Sequence, residues 1–290
     1  MPNRNVRVVV DAHVHLWDPA RTEWYPYLAR PPNHGAGDPA RMFRRFDVET
    51  YRVEAAAWNV ERIVNVAAAT GRHSVDETVE LDARADADGG PDGIIGGLPP
   101  TDTVAEAIEL IDHQMTAPRF RGVRPMGPLD RPVPDVAVLR ALRERGLVFE
   151  LMAHPDQLES AAAALEVVEG LRVVVEHTGW PRSNTDEERA LWRAGNDALA
   201  RIGDDVVCKL SGLAMPLQTM RPEAFAPWLE YAIEAFGVDR CLFASNFPVD
   251  AVYGSFDDLY TAFDAVTSEL DDVSRAKLFA DNARRVYRLT

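Results

Sequence analysis

The chain has 290 residues, 47% apolar and 27% charged, which is enough for one sizeable hydrophobic core. Its formal net charge of −15 and pI near 4.9 argue against nucleic acid and anionic membranes as partners. The two cysteines, Cys208 and Cys241, sit in apolar runs and read as small core residues in a reducing compartment, not as a disulfide framework. The start M-P-N-R-N-V-R holds no apolar secretion stretch, and no segment reaches the roughly 18 apolar residues of a membrane span. A cytoplasmic protein is expected.

Short β-branched runs recur along the chain, at residues 6–12, 62–68, 93–98, 120–124, 147–152, 171–176, 205–210 and 240–244. Between them, apolar residues recur at helical spacing over 104–115, 135–145, 157–169, 187–202 and 222–236, and a final pair covers 256–270 and 272–289. Thr101-Asp102, Pro134-Asp135 and Asn184-Thr185 supply helix start signals. Eight strands alternating with helices predict a single α/β domain over 1–290, a distorted (β/α)8 barrel. A doubly wound open sheet is the runner-up, but no G-x-G-x-x-G or P-loop follows any strand.

Residues 16–47 form a long connection rich in aromatics and prolines: Pro19, Trp24, Tyr25, Pro26, Tyr27, Pro31, Pro32 and His34. It leaves the first strand and so belongs over the C-terminal mouth, where such barrels keep their sites; a substrate-covering loop is expected.

The stretch D-A-H-V-H-L-W-D begins with Asp11 and places His13 and His15 two apart at the end of a strand, on one face. Two imidazoles there can bind a metal, orient a carbonyl or move a proton. Other polar residues mark later strand ends: Arg124, His154 in M-A-H-P, His177 in E-H-T-G-W-P, Ser211 in K-L-S-G, and Asn246 in A-S-N-F-P-V-D with Asp250 four further on. In a barrel these ends converge on one pocket, which makes the histidine cluster a candidate active site. His113, late in a helix, reads as a surface residue. Strand parity puts Asp11 with His13, and Glu150 with His154, while Glu176 points away from His177. A buried lysine needs a partner charge, so Lys209 is expected to face inward and pair with Asp11 or Glu150 beneath the histidines.

At these residues the chain resembles the amidohydrolase superfamily, more closely the branch that contains 2-pyrone-4,6-dicarboxylate lactonase and L-fuconolactonase. The resemblance runs through D-A-H-V-H-L-W-D-P, F-R-G-V-R, E-H-T-G-W-P, K-L-S-G-L, R-C-L-F-A-S-N-F-P-V-D and D-N-A-R-R-V-Y-R-L. It implies a hydrolase opening the lactone of a small carboxylated or sugar-derived substrate. His13, His15, His177, Asn246 and Asp250 would be the catalytic set. Arg124, Arg121, His154, Trp17, Trp180 and Tyr27 would bind substrate, the arginines by a carboxylate fork.

The family's strand-eight position is commonly an aspartate; here it is Asn246, a poorer ligand that cannot act as a general base. The strand-four bridging Lys or Glu is also missing, so a binuclear centre is not expected. The resemblance implies either no required metal or one weakly held divalent ion, zinc before others, on His13, His15 and His177. Asp250 or His177 would replace the missing base. Two other readings stand beside the lactonase: a metal-dependent decarboxylase of a small aromatic or unsaturated acid, and a non-catalytic barrel binding a small acid. The partner in each is a small molecule, and oligomeric state stays open, a homo-oligomer included.

Overall fold

In a computed structural model, which describes residues 7–29, 37–128 and 130–289, eight parallel strands pair in sequence order. They are β1 (Val8–Val14), β2 (Asn59–Val66), β3 (Gly93–Leu98), β4 (Phe120–Pro125), β5 (Val148–Leu151), β6 (Val173–Val175), β7 (Val206–Leu210) and β8 (Cys241–Phe243). The ring closes through a seam: the His15 N–H donates to the Phe247 carbonyl at 2.8 Å, and the Asn246 N–H to the His13 carbonyl at 2.9 Å. The result is a nearly closed (β/α)8 barrel.

The helices are α1 (Val48–Glu54), α2 (His73–Asp88), α3 (Val104–Gln114), α4 (Val136–Glu144), α5 (Pro155–Glu166), α6 (Asp186–Ile202), the single turn α7 (Ala214–Leu217), α8 (Pro222–Phe236), α9 (Phe256–Val266), α10 (Asp272–Ala276) and α11 (Asn282–Tyr287). Side-chain caps start several of them. Asp47 accepts from Thr50 N, Asp135 from Ala137 N and Thr185 from Glu188 N. Thr103, not Thr101-Asp102, caps α3. The last predicted helix is interrupted by a π turn, Lys277–Asp281, which separates α10 from α11. None of the described helices is long and apolar enough to cross a membrane.

Two apolar clusters form. The larger lies between strands and helices. The smaller fills the barrel with Val10, Ala12, Val64, Val66, Val148, Val174, Val207 and Leu242 and continues into α11 through Val286 and Tyr287. Cys208 and Cys241 are free and fully buried. Above the apolar layer the inward positions become polar, and the site begins there.

Candidate active site

Strand geometry explains most placements. On β5, β7 and β6 the inward series run Val148–Glu150, Val207–Lys209 and Val174–Glu176, alternating as a strand requires. On β1 the series is broken. Val10 and Ala12 face inward, but a register irregularity between Asp11 and Val14 switches the faces, and His13 then points in. Asp11 is therefore not beneath the histidines. Its carboxylate accepts from the Tyr51 hydroxyl and Ser245 N, both at 2.8 Å, and from His13 N at 3.3 Å. It fixes the backbone of the seam instead.

Lys209 is fully buried and pairs with Glu150, not Asp11: Nζ lies 2.6 and 2.8 Å from its two oxygens. Tyr287 of α11 donates to the same carboxylate at 2.6 Å. The third Lys209 proton reaches His13 Nδ1 at 3.4 Å. That fixes a consistent proton order. His13 then carries its hydrogen on Nε2 and donates to His15 Nε2 at 3.1 Å, and His15 donates Nδ1–H to the Val66 carbonyl at 2.8 Å. Burial, with Lys209 and His177 adding repulsion, holds His13 well below its ordinary pKa; burial and Arg124 hold His15 down to about 3.

Glu176 corrects the expectation that it points away from His177. The chain leaves extended geometry at His177 (φ 53°) and Thr178 (φ 58°), which turns the imidazole back over the barrel beside Glu176. The strained turn is held by Trp192, whose Nε1 donates to the Thr178 carbonyl at 2.5 Å, and by Thr178 Oγ1 donating to the Ser211 carbonyl at 3.2 Å. Gly212 makes room: a Cβ there would lie 2.7 Å from the His177 ring. His177 Nδ1 meets Ser211 Oγ at 3.1 Å, and Nε2 lies 3.8 Å from Glu176. Burial lowers His177 to about 4, with Arg124 and Lys209 outweighing part of the pull of Glu176. Burial alone would raise Glu176, but the Arg124 guanidinium and then His177 take it down to about 2.

Arg124 faces inward with Nη1 on Glu176 at 3.2 Å and Nη2 on the Ala67 carbonyl at 2.5 Å. Both Nη atoms are thus on protein acceptors, Nε is without a partner, and the residue borders the cavity as expected of a substrate-binding group. Arg121 is corrected. It sits near the start of β4, beside Gly93 and away from the histidines, with Nη1 on the Pro118 and Phe120 carbonyls. His154 does not line the pocket: it is the N-cap of α5, and its Nδ1 donates to the Trp180 carbonyl at 3.0 Å while its ring packs on Trp180.

A cavity of about 220 Å³ opens above this layer, lined by His15, Trp17, Tyr27, Arg124, His177, Trp180 and Asn246, with Met42, Met126, Met152 and Met215 among its apolar walls. Trp17 stacks on His15 at 5.6 Å between ring centroids. Tyr27 donates its hydroxyl to the Ala68 carbonyl at 3.0 Å, so part of the long first connection does reach the mouth. His34, Pro31 and Pro32 lie outside the described residues. A larger cleft of about 390 Å³ also borders Trp17, but no histidine lines it, which leaves the smaller cavity as the candidate site. Asp250 is fully buried behind Asn246, whose Nδ2 donates to it at 2.8 Å; burial raises it to about 7.

Two acids stand outside the expected site set, Glu176 because it was placed facing away and Glu77 because it was not singled out. Glu176 was legible from the inward series of β6 once Val174 was placed. Glu77 of α2 gave no signal: it is buried and accepts from Ala68 N at 2.9 Å and the Tyr25 hydroxyl at 2.8 Å, joining the first connection to the loop after β2. Among the described residues, His13, Glu176 and His177 bring one ligand atom each within 4.8 Å of one another. Glu176 Oε1 is buried without a partner, and two imidazoles with a carboxylate suit one divalent ion. The group suits a divalent ion once His13 Nε2 gives up its proton, and Glu176 stands in it where His15 was expected.

The amidohydrolase family's sequence model matches residues 10–289. The chain is 30% identical to the uncharacterized protein y4mH of Sinorhizobium fredii, over 97% of this chain and 98% of that one. It is 27% identical to the L-fucono-1,5-lactonase of Burkholderia ambifaria, over 97% of this chain and 95% of that enzyme. A zinc-bound amidohydrolase from Burkholderia multivorans superposes with a TM-score of 0.81 at 23% identity, covering 98% of this chain and all of that one.

Proposed function

Since the chain belongs to the amidohydrolase family, a family of hydrolases, we propose that it opens the lactone of a small, uncharged, sugar-derived acid. The observation that carries this reading is the charge balance under the cavity. Arg124 is matched by Glu176 and Lys209 by Glu150, each pair buried, so among the described residues that border the cavity no arginine or lysine is left without a carboxylate. The similarity to an L-fucono-1,5-lactonase supports the same substrate class.

In this reading His177 donates Nδ1–H to Ser211 and keeps Nε2 as a lone pair. Its depressed pKa leaves it neutral through the physiological range. Water gives a proton to His177 and its oxygen bonds to the ester carbonyl carbon. The unpartnered Arg124 Nε–H donates to the oxygen that gains charge. The tetrahedral species collapses by breaking the ring C–O bond, and His177 returns the proton to the departing alkoxide. Trp17, Trp180 and the methionines wall the ring and exclude bulk water. A divalent ion held by His13, Glu176 and His177 would occupy the His177 lone pair, so it would replace this proton transfer and supply Lewis-acid polarisation of the ester carbonyl instead.

The test is acid release from two lactone classes, aldono-1,5-lactones and pyrone dicarboxylates, with and without a chelator, beside carbon dioxide detection on a panel of aromatic acids. Turnover of the aldonolactones with little on the dicarboxylate is expected. Carbon dioxide release without lactone opening would replace this reading with decarboxylation.

A further inference from the structure

Asn246 and Asp250 are a matched pair that the steps above leave unused. Asn246 follows β8 in a left-handed conformation (φ 57°), and its backbone N–H is fixed on the His13 carbonyl at 2.9 Å. Its side chain borders the cavity with His15, Arg124 and His177, and the residue is 1% exposed. The donor end of the amide is committed, with Nδ2 giving a hydrogen bond to Asp250 Oδ1 at 2.8 Å. Asp250 is itself held by its N–H on the Asn246 carbonyl at 3.1 Å, and it is not among the residues bordering the cavity. The end of the amide left toward the cavity is therefore Oδ1, and that atom is buried with no partner in the protein. A buried acceptor without a donor costs free energy, and the deficit is removed when a ligand brings one.

We propose that Asn246 Oδ1 is the acceptor for a hydroxyl of the bound lactone, and that Asp250 is the positioning residue that decides which end of the amide meets it. This rests on the lactone reading and adds the chemical feature selected: a ring bearing a hydroxyl donor beside the ester, as in an aldono-1,5-lactone. A site built to pair a substrate hydroxyl rejects the analogue lacking it far more strongly than an apolar pocket does, because the acceptor is then buried unpaired. The pair also accounts for asparagine where a single acid would otherwise stand: an aspartate at 246 would place two carboxylates in contact in a buried site.

The experiment compares kcat/KM for an aldono-1,5-lactone and for δ-valerolactone, the same six-membered ring without hydroxyls. The variants are Asn246→Leu, Asp250→Leu and the exchange Asn246→Asp with Asp250→Asn, each checked by its melting temperature. The unaltered protein is expected to prefer the hydroxylated ring by about 100-fold or more. Asn246→Leu and Asp250→Leu should each shrink that preference at least 10-fold, the second without contact to substrate, since leucine offers Asn246 Nδ2 no acceptor. The exchange keeps an acceptor at 246 and a donor at 250, and should restore most of the preference even if a single variant folds poorly. Equal turnover of the two rings by the unaltered protein overturns the inference and leaves the lactone reading intact. A preference that survives both single variants overturns it as well. Failure to open either ring overturns the lactone reading, and this inference with it.

Discussion

At the residue scale, each buried charge in the barrel has a specific partner, and removing one partner should cost more than removing both. Lys209→Met leaves Glu150 without its cation, facing the Tyr287 hydroxyl at 2.6 Å and the Glu176 carboxyl. A loss of about 3–5 kcal/mol is expected from equilibrium denaturation, as for other buried pairs stripped of one member. Adding Glu150→Leu should recover part of it. Lys209→Met should also release His13 from its Nε2–H form, which imidazole 15N shifts would show directly. Glu176→Gln tests the ion site: zinc affinity measured by calorimetry should fall at least 10-fold, since the anionic ligand atom is lost. An unchanged affinity would place the ion elsewhere. Parity read Lys209 and Glu150 correctly because β5 and β7 are regular strands. It failed for Asp11 because an irregular β1 register switches faces, and for His177 because a left-handed turn does, and neither feature has a residue pattern that announces it. Arg121 was not legible from parity, because the β4 register shifts between Phe120 and Gly122; it misses the histidines because it stands at the start of the strand and Arg124 near its end.

At the element scale, the strand-to-helix turn after β6 sets the site. It carries Glu176, His177 and Trp180, with positive φ at His177, Thr178 and Trp180. Such conformations persist only where surrounding contacts over-determine them, here Trp192, Ser211 and Gly212. Gly212→Ala should lower kcat at least 10-fold and stability by about 1–3 kcal/mol, because the new Cβ meets the His177 ring and the residue has φ 69°. A variant with normal turnover would show that the His177 position is not critical. Seven of the strands were placed from apolar runs to within about two residues, since buried parallel strands read as continuous β-branched segments. β2 was placed three residues late, because its exposed start, Asn59 and Glu61, breaks the apolar run. α2 and the caps of the first connection were not legible, because their apolar faces are sparse and Glu77 stands in the middle of the buried side.

At the scale of the whole molecule, stability and activity should respond to pH in different ways. Burial raises Glu77 to about 7 from an ordinary 4.5, against the opposing hydrogen bonds of Ala68 and Tyr25. A raised carboxyl binds its proton more tightly folded than unfolded. Its contribution, on the order of 3 kcal/mol, is present below pH 4.5 and is lost as pH rises through 7. Melting temperatures of Glu77→Gln should therefore rise relative to the parent between pH 5 and pH 8; a constant difference would contradict this. Turnover should instead hold from neutrality downward and fall as His177 takes its proton near pH 4.

The fold places four polar strand ends over one cavity, and the central claim is that His177 moves the proton of a lactone-opening water there. The most direct measurement is pH-stat acid release from an aldono-1,5-lactone by the parent protein and by His177→Ala at matched folding. Turnover well above buffer is expected for the parent, and a loss of about 100-fold or more in the variant. Equal turnover by the two proteins would contradict that claim.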